Sequence, residues 1–340
     1  MAEEKGRAPN TKHDHPRPEQ TEMPKPAKPR GQLAHSEWYA QLEKLGADHG
    51  GFDRLGDAHC ALYLEDSPTL LVTFECGENV RARAKGRPMG WTIAEEAGWS
   101  QLSLIAEGST WFRSPQVYGY FDELVDDGFF DDFERVVFFG AGDCGYAAAA
   151  FSVAAPGSTV VLVNPQATLD PRVTEWDPRF TAHRRISFTD RYGYAPDMLE
   201  ASERAYVMYD PEATFDAMHT ALFTRKNVTK LRCRHLGPKL ADELDRMGVL
   251  SEVIDAACEG MLTDQVFHRL FRTRRDNPRY LRRLLDKTET AGHPYLAAML
   301  CRNVISRHRA PRFRRRLNEL QETLAAEGRA LPPLGKEAGA

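Results

Sequence analysis

Between residues 135 and 155 an apolar run passes into Gly140-Ala141-Gly142-Asp143-Cys144-Gly145 and then into a stretch dense in alanine. A short run of valine and phenylalanine fits a fully buried strand. The near absence of bulky side chains in the turn lets the backbone approach a ligand, or lets a helix pack closely on the strand. The rest of the chain agrees with a strand, a tight turn and a helix. Strands are predicted at 158–163, 204–209 and 227–232, and helices at 146–155, 212–223 and 239–247. Strands alternating with helices predict an α/β fold with a mainly parallel sheet covered by helices on both faces.

Upstream, residues 36–46 read as a short helix. The strand-like runs 60–65 and 69–76 are separated by Asp66, Ser67 and Pro68, which predicts a hairpin. A further strand is expected at 101–106. Ser114 and Pro115 supply a cap and a first-turn proline for a helix that runs to Asp127 and is stopped by Gly128. The segment 166–201 is rich in Arg, Asp, Pro and Tyr and reads as an insertion near the ligand-binding edge of the sheet. Residues 1–33, rich in Pro, Lys and Glu, cannot bury enough apolar surface to order and are expected to be a disordered tail. The organisation expected is this tail, an α/β domain at 34–249, and an arginine-rich helical extension with its own tail at 250–340.

The formal charge is -4, so no global field draws the chain onto nucleic acid or anionic lipid. No apolar run approaches the roughly 20 residues that span a bilayer, and no secretory signal pattern opens the chain. The expected location is the cytoplasm. Six cysteines (Cys60, Cys76, Cys144, Cys233, Cys258, Cys301) form no C-x-x-C pair, so reduced thiols are expected, without a structural metal site. No bound cofactor is expected. The basic stretch from Arg269 to Arg316, with Phe267, Leu270, Phe271, Leu281, Leu284 and Leu285 at helical spacing, reads as a solvated face on a helical hairpin that can also meet an acidic partner.

The turn string matches G-x-G-x-x-G, with Gly140, Gly142 and Gly145 as a phosphate cradle for a nucleotide or dinucleotide enzyme. That reading wants an acid at the end of the next strand, where this chain has Asn164-Pro165. A second reading comes from resemblance. Residues 140–151, the strand that follows and Asn164-Pro165-Gln166 resemble the nucleophile turn of α/β hydrolases, especially hydrolase-like proteins found with polysaccharide genes, roughly G-x-S-x-G-G-Y-A-A. The resemblance spans about 69–250. Aligning Gly145-Tyr146-Ala147-Ala148 with the end of the motif puts Gly142 where that family has its serine, and a glycine cannot attack a carbonyl.

This resemblance implies an acid at Asp210 and a histidine at His235, each just past a late strand, with backbone amides of the turn and of the Cys76-Gly77 loop able to bind an anion or carbonyl. It also implies a small-molecule or glycan-related ligand. Two other registers put Asp143 or Cys144 at the exposed turn position and restore a nucleophile. The readings left open are a protein that binds or scaffolds without turnover, an active hydrolase using Asp143 or Cys144, and a nucleotide-binding enzyme. Asp210 reads equally as a helix cap, His235 as a structural histidine, and the pair Asp216 and His219 as a surface hydrogen bond. The chain also resembles alphaproteobacterial proteins sometimes labelled phosphoadenosine phosphosulfate reductase, but the S-G-G-x-D loop and E-C-G-L-H string of that chemistry do not occur here.

Overall fold

The computed structural model describes residues 35–332, so the tail expected at 1–33 lies outside the described residues. Eight strands form one sheet: β1 (Gly50–Leu55), β2 (His59–Leu64), β3 (Thr69–Cys76), β4 (Ser100–Ala106), β5 (Arg135–Ala141), β6 (Thr159–Val163), β7 (Arg204–Tyr209) and β8 (Val228–Arg232). Their order is β1-β2-β4-β3-β5-β6-β7-β8. β1 and β2 are antiparallel, β2 meets β4 antiparallel, and every pairing from β4 to β8 is parallel. Helices flank this mostly parallel sheet, and more helices follow β8. This is the α/β-hydrolase-like architecture that the resemblance implied.

The two-residue period of the strands explains how the sheet holds both layers. Val137 and Phe139 of β5 face one core together with Val161 and Val163 of β6 and Tyr206 and Met208 of β7. Val136 and Phe138 face the other with Val160, Leu162, Ala205 and Val207. A strand buried on both faces has to read as a continuous apolar run, as 135–139 does. Phe138 is fully buried, and its removal from water alone contributes about 2 to 3 kcal/mol. The helices Val249–Cys258, Pro278–Thr290, Pro294–Arg307 and Pro311–Ala326 join the first of these cores through Val253, Leu281, Val304 and Phe313. The stretch read as a helical hairpin is therefore three packed helices.

The hairpin expected from 60–65 and 69–76 is not formed. β2 and β3 are both strands, but β4 lies between them, antiparallel to the first and parallel to the second. The Asp66–Pro68 turn leads to a crossing rather than a return. Its two N–H groups at Asp66 and Ser67 donate to Ser100 Oγ of β4 at 2.9 and 3.0 Å, which pins the connection to the intervening strand. The strand β1 and the helix Met89–Ala97 were not anticipated.

Candidate functional site

The candidate site lies where the carboxyl ends of the parallel strands meet. Gly142 N–H donates to Val163 O at 2.9 Å, Asn164 N–H to Met208 O at 2.9 Å and Cys233 N–H to Tyr209 O at 2.8 Å, so the exits of β5 to β8 are stitched in sequence order. This edge is where parallel sheets hold ligands.

At the turn, Gly142 alone has left-handed backbone, with φ 62° and ψ -124°, and the helix Asp143–Phe151 starts at the next residue. A β-carbon built at Gly142 meets nothing within 4 Å, so the space above the turn is open. The glycines on either side serve packing instead. A β-carbon on Gly140 would collide with the Cys144 carbonyl, and one on Gly145 would sit 3.1 Å from Gly140 O and 3.3 Å from Pro165 Cα. The motif thus separates into two glycines demanded by close approach and one demanded by φ.

Asp143 and Cys144 occupy the first helical turn. Asp143 is partly exposed, and its Oδ1 accepts from the Cys144 N–H at 3.0 Å. Burial raises its pKa above the usual carboxylate value, against backbone contacts and the nearby Ser109 hydroxyl that lower it. Cys144 is buried, and desolvation, with Asp143, Cys76 and Glu75 nearby, pushes its thiol well above its ordinary value. A thiol in that state is a poor nucleophile even at a helix N-terminus. All six cysteines are free thiols.

The Cys76-Gly77 segment lies beside the turn: Cys76, Ala141 and Cys144 line one cleft of about 110 Å³ with Glu75, Met89 and Asp242. Glu75 closes the end of β3, its carboxylate accepting from Met89 N at 2.8 Å and Gly90 N at 3.1 Å. Gly90 allows this, since a β-carbon there would press on Thr73 at 2.6 Å. Glu75 was not singled out in the sequence, where an acid inside an apolar strand was the only signal.

Asp210 is 1% exposed and directly follows β7. Its Oδ1 accepts from Glu212 N at 3.0 Å and its Oδ2 from Gly237 N at 2.7 Å, so it ties the loops after β7 and β8 together. The helix that follows starts at Thr214 and is flanked by Ala213, so Asp210 is not its cap. His235 has φ 69°. Its Nδ1 lies 2.8 Å from Glu212 Oε1, at an angle that makes no aligned hydrogen bond. Glu212 also pairs with Lys287. Burial lowers the His235 pKa, with Asp210 acting to raise it and Arg234 and Arg274 to lower it. Asp210 therefore acts on His235 through its charge, while both of its oxygens are engaged by backbone N–H groups.

The insertion after β6 is fastened to the helix that begins at the turn. Arg113, on the loop after β4, donates to Ser187 O at 2.7 Å, Arg191 O at 3.0 Å and Tyr146 Oη at 2.9 Å, and pairs with Asp190. Trp111 and Phe112 on the same loop carry φ of 52° and 55°, and Trp111 packs on Phe180 and His183 of the insertion. Bulky residues hold such backbone only when their surroundings enforce it.

Asp216 and His219 are not a surface pair: they are 3% and 0% exposed. Asp216 Oδ1 accepts from Arg179 Nη1 at 2.6 Å, and Arg179 Nη2 reaches Asp177 Oδ2 at 2.7 Å. His219 Nε2 lies 3.1 Å from Asp177 Oδ2, and its Nδ1 accepts from Ala167 N at 3.2 Å, which fixes the neutral Nε2–H tautomer. Burial drives its pKa down to about 4. The sequence did carry a signal for this cluster. Asp170-Pro171-Arg172 and Asp177-Pro178-Arg179 repeat one unit, and in each the Asp caps a short helix through the Arg N–H and grips the guanidinium of the same Arg. Beside the turn, Asn164 Oδ1 and Gln166 Oε1 are buried acceptors without a partner among the described residues.

No protein-family model matches the chain, and no curated protein does. Among solved structures it is similar to Est1E from Butyrivibrio proteoclasticus, at 13% identity and TM-score 0.43 over 63% of this chain and 97% of that one. It is also similar to a putative thioesterase from Silicibacter (14% identity, TM-score 0.40, 68% of this chain and 90% of that one). A capsule O-acetyltransferase of Neisseria meningitidis serogroup A in complex with CoA gives 10% identity and TM-score 0.38, over 57% of this chain and 91% of that one. Identities this low speak to the fold alone, and at these TM-scores no functional reading rests on them. Among the described residues no helix is long and apolar enough to cross a membrane.

Proposed function

We propose that the chain is an α/β-hydrolase-like protein without the usual serine nucleophile, which binds a small ligand at the carboxyl edge of its sheet rather than turning it over. The observation that carries this reading is the backbone of Gly142. It is the residue in the strained turn conformation, and the space a nucleophilic side chain would enter is open. Asp143 and Cys144 follow it in helical conformation, which supports the Gly142 register over the other two. His235 beside Glu212 without an aligned hydrogen bond, and Asp210 with both oxygens held by backbone N–H groups, suit a scaffold better than a hydrogen-bonded acid and base.

The ligand proposed presents O–H or N–H donors, as a glycan-related molecule does, because the unpartnered acceptors of Asn164 and Gln166 lie in the loop that packs against Gly145. A nucleotide cradle has less support, since Asn164 stands where a ribose-binding acid is wanted and its side-chain amide donates to Pro238 O at 3.3 Å.

The test is a turnover screen with acyl esters, thioesters and acetylated glycans, run beside titration calorimetry with NAD, NADP and acetylated oligosaccharides. No turnover, with oligosaccharide heat at the edge, is the expected result. Turnover abolished by Asp143→Asn or Cys144→Ser would overturn the binding reading, and saturable NAD or NADP binding would replace it with the nucleotide one.

A further inference from the structure

The arginines between Arg269 and Arg316 fall into two groups in the structure. Arg283 bonds Leu236 O at 2.5 Å and reaches Glu243 at 3.1 Å, Arg307 pairs with Asp276 at 2.5 Å, and Arg316 pairs with Glu289 at 2.5 Å and Glu319 at 2.6 Å. These hold the extension together. Arg309 and Arg312 are exposed and have no ion pair or hydrogen bond among the described residues, and Arg282 bonds only Pro278 O of its own helix, at 3.1 Å. All three line one groove of about 270 Å³ between the start of Pro278–Thr290, the end of Pro294–Arg307 and the start of Pro311–Ala326. Leu281, Val304 and Phe313, each nearly buried, contribute its apolar lining. The one carboxylate there, Asp276, is matched by Arg307 and lies 3.0 Å from His308.

We propose that this groove docks an acidic peptide segment of a partner protein, with an apolar side chain in the groove and flanking carboxylates on Arg282, Arg309 and Arg312. Charge complementarity selects the occupant. Guanidinium groups presented without partners match carboxylates in geometry and charge, and the volume suits one or two apolar side chains. Single-stranded nucleic acid fits less well, because the aromatic ring in the groove, Phe313, is buried and offers no face for a base. An anionic bilayer fits less well too: the exposed large apolar residues among those described, such as Met261 and Leu296, lie outside the groove.

The probe is a fluorescein-labelled peptide of sequence SDEFLDE, titrated by anisotropy with the full chain. Saturable binding is expected, weakened at least tenfold by the triple variant Arg282→Gln, Arg309→Gln, Arg312→Gln. It is expected to weaken as much when the peptide is changed to SDEGGDE. The double variant Arg314→Gln, Arg315→Gln removes two exposed charges from the same helix but outside the groove, and should change the Kd less than threefold. The triple variant keeps its melting temperature, since those guanidinium groups hold no other element. Lack of saturation at about 1 mM chain, equal loss from the triple and double variants, or equal affinity for the two peptides would each overturn the docking site. Tighter arginine-dependent binding of an oligo-dT strand or of phosphatidylserine vesicles would overturn it in favour of that polyanion.

Discussion

The turn at Gly140–Gly145 and the insertion at 166–201 face the same edge of the sheet and spend their residues in opposite ways. The turn keeps a demanding shape and presents few reactive side chains: its left-handed residue is a glycine, its thiol is buried with a raised pKa, and of its reactive groups Asp143 alone is partly exposed. The insertion and the helix beside it are rich in groups able to move protons, yet Asp177, Arg179, Asp216 and His219 are bound to one another. A turn poor in reactive groups in one region, and reactive groups bound to one another in the other, is the contrast expected if the edge binds a ligand without turning it over, as proposed.

That contrast can be broken at its stiffest point. Gly140→Ala drives a methyl into the Cys144–Gly145 peptide, and since every near atom is backbone there is little room to yield. The expected cost is about 4 kcal/mol, at the high end for a single substitution. Urea denaturation read by circular dichroism measures it. A cost below about 1 kcal/mol would mean that the helix does not sit on the strand as described.

The insertion is tested by acid. His219 is fully buried and its folded pKa of about 4 lies below the 6.5 of an unfolded histidine. The unfolded chain therefore binds a proton first as pH falls. The stabilisation from keeping His219 neutral is complete above pH 6.5 and is lost as pH falls toward 4, an effect of about 3 kcal/mol. His59, likewise pushed down to about 4 by burial, adds a slope of the same sign. The His219→Gln variant keeps an acceptor and a donor but cannot titrate, so its stability between pH 6.5 and 4 should fall less than the parent's by about that amount. Equal slopes in the two proteins would show that His219 is not the buried neutral group of the cluster.

The same two regions mark what a reader of the sequence can and cannot see. The strand, turn and helix at 135–155 are contiguous, so their period, glycines and alanines announce them. The alternation after β5 gave the parallel sheet for the same local reason. Pairing between distant strands has no such signature. The short turn at Asp66–Pro68 suits a hairpin, and only β4, inserted from 100–106, decides otherwise. β1 was hidden because Gly50-Gly51 and Asp53 dilute its apolar content. The cluster of Asp177, Arg179, Asp216 and His219 joins segments about forty residues apart, so helical spacing alone made Asp216 and His219 look like a surface pair. The repeated Asp-Pro-Arg unit was the available clue, because proline after a capping aspartate fixes a turn that aims the arginine back at it.

The smallest effect bears most directly on the functional reading. Gly142 has φ 62° and ψ -124°, a conformation that L-residues adopt only at a cost, but its missing β-carbon would touch nothing within 4 Å. Gly142→Ala should therefore cost only the backbone term, about 1 kcal/mol, several times less than the neighbouring Gly140→Ala. Parallel denaturation of the two variants reads the difference. A Gly142→Ala loss as large as that at Gly140 would mean the space above the turn is filled, and no ligand or side chain could use it. A loss indistinguishable from zero would mean the turn relaxes out of its left-handed conformation, so that the register placing Gly142 at the nucleophile position fails. Only the intermediate result, strain without collision, keeps an open and rigid position above the turn, which the proposed ligand needs.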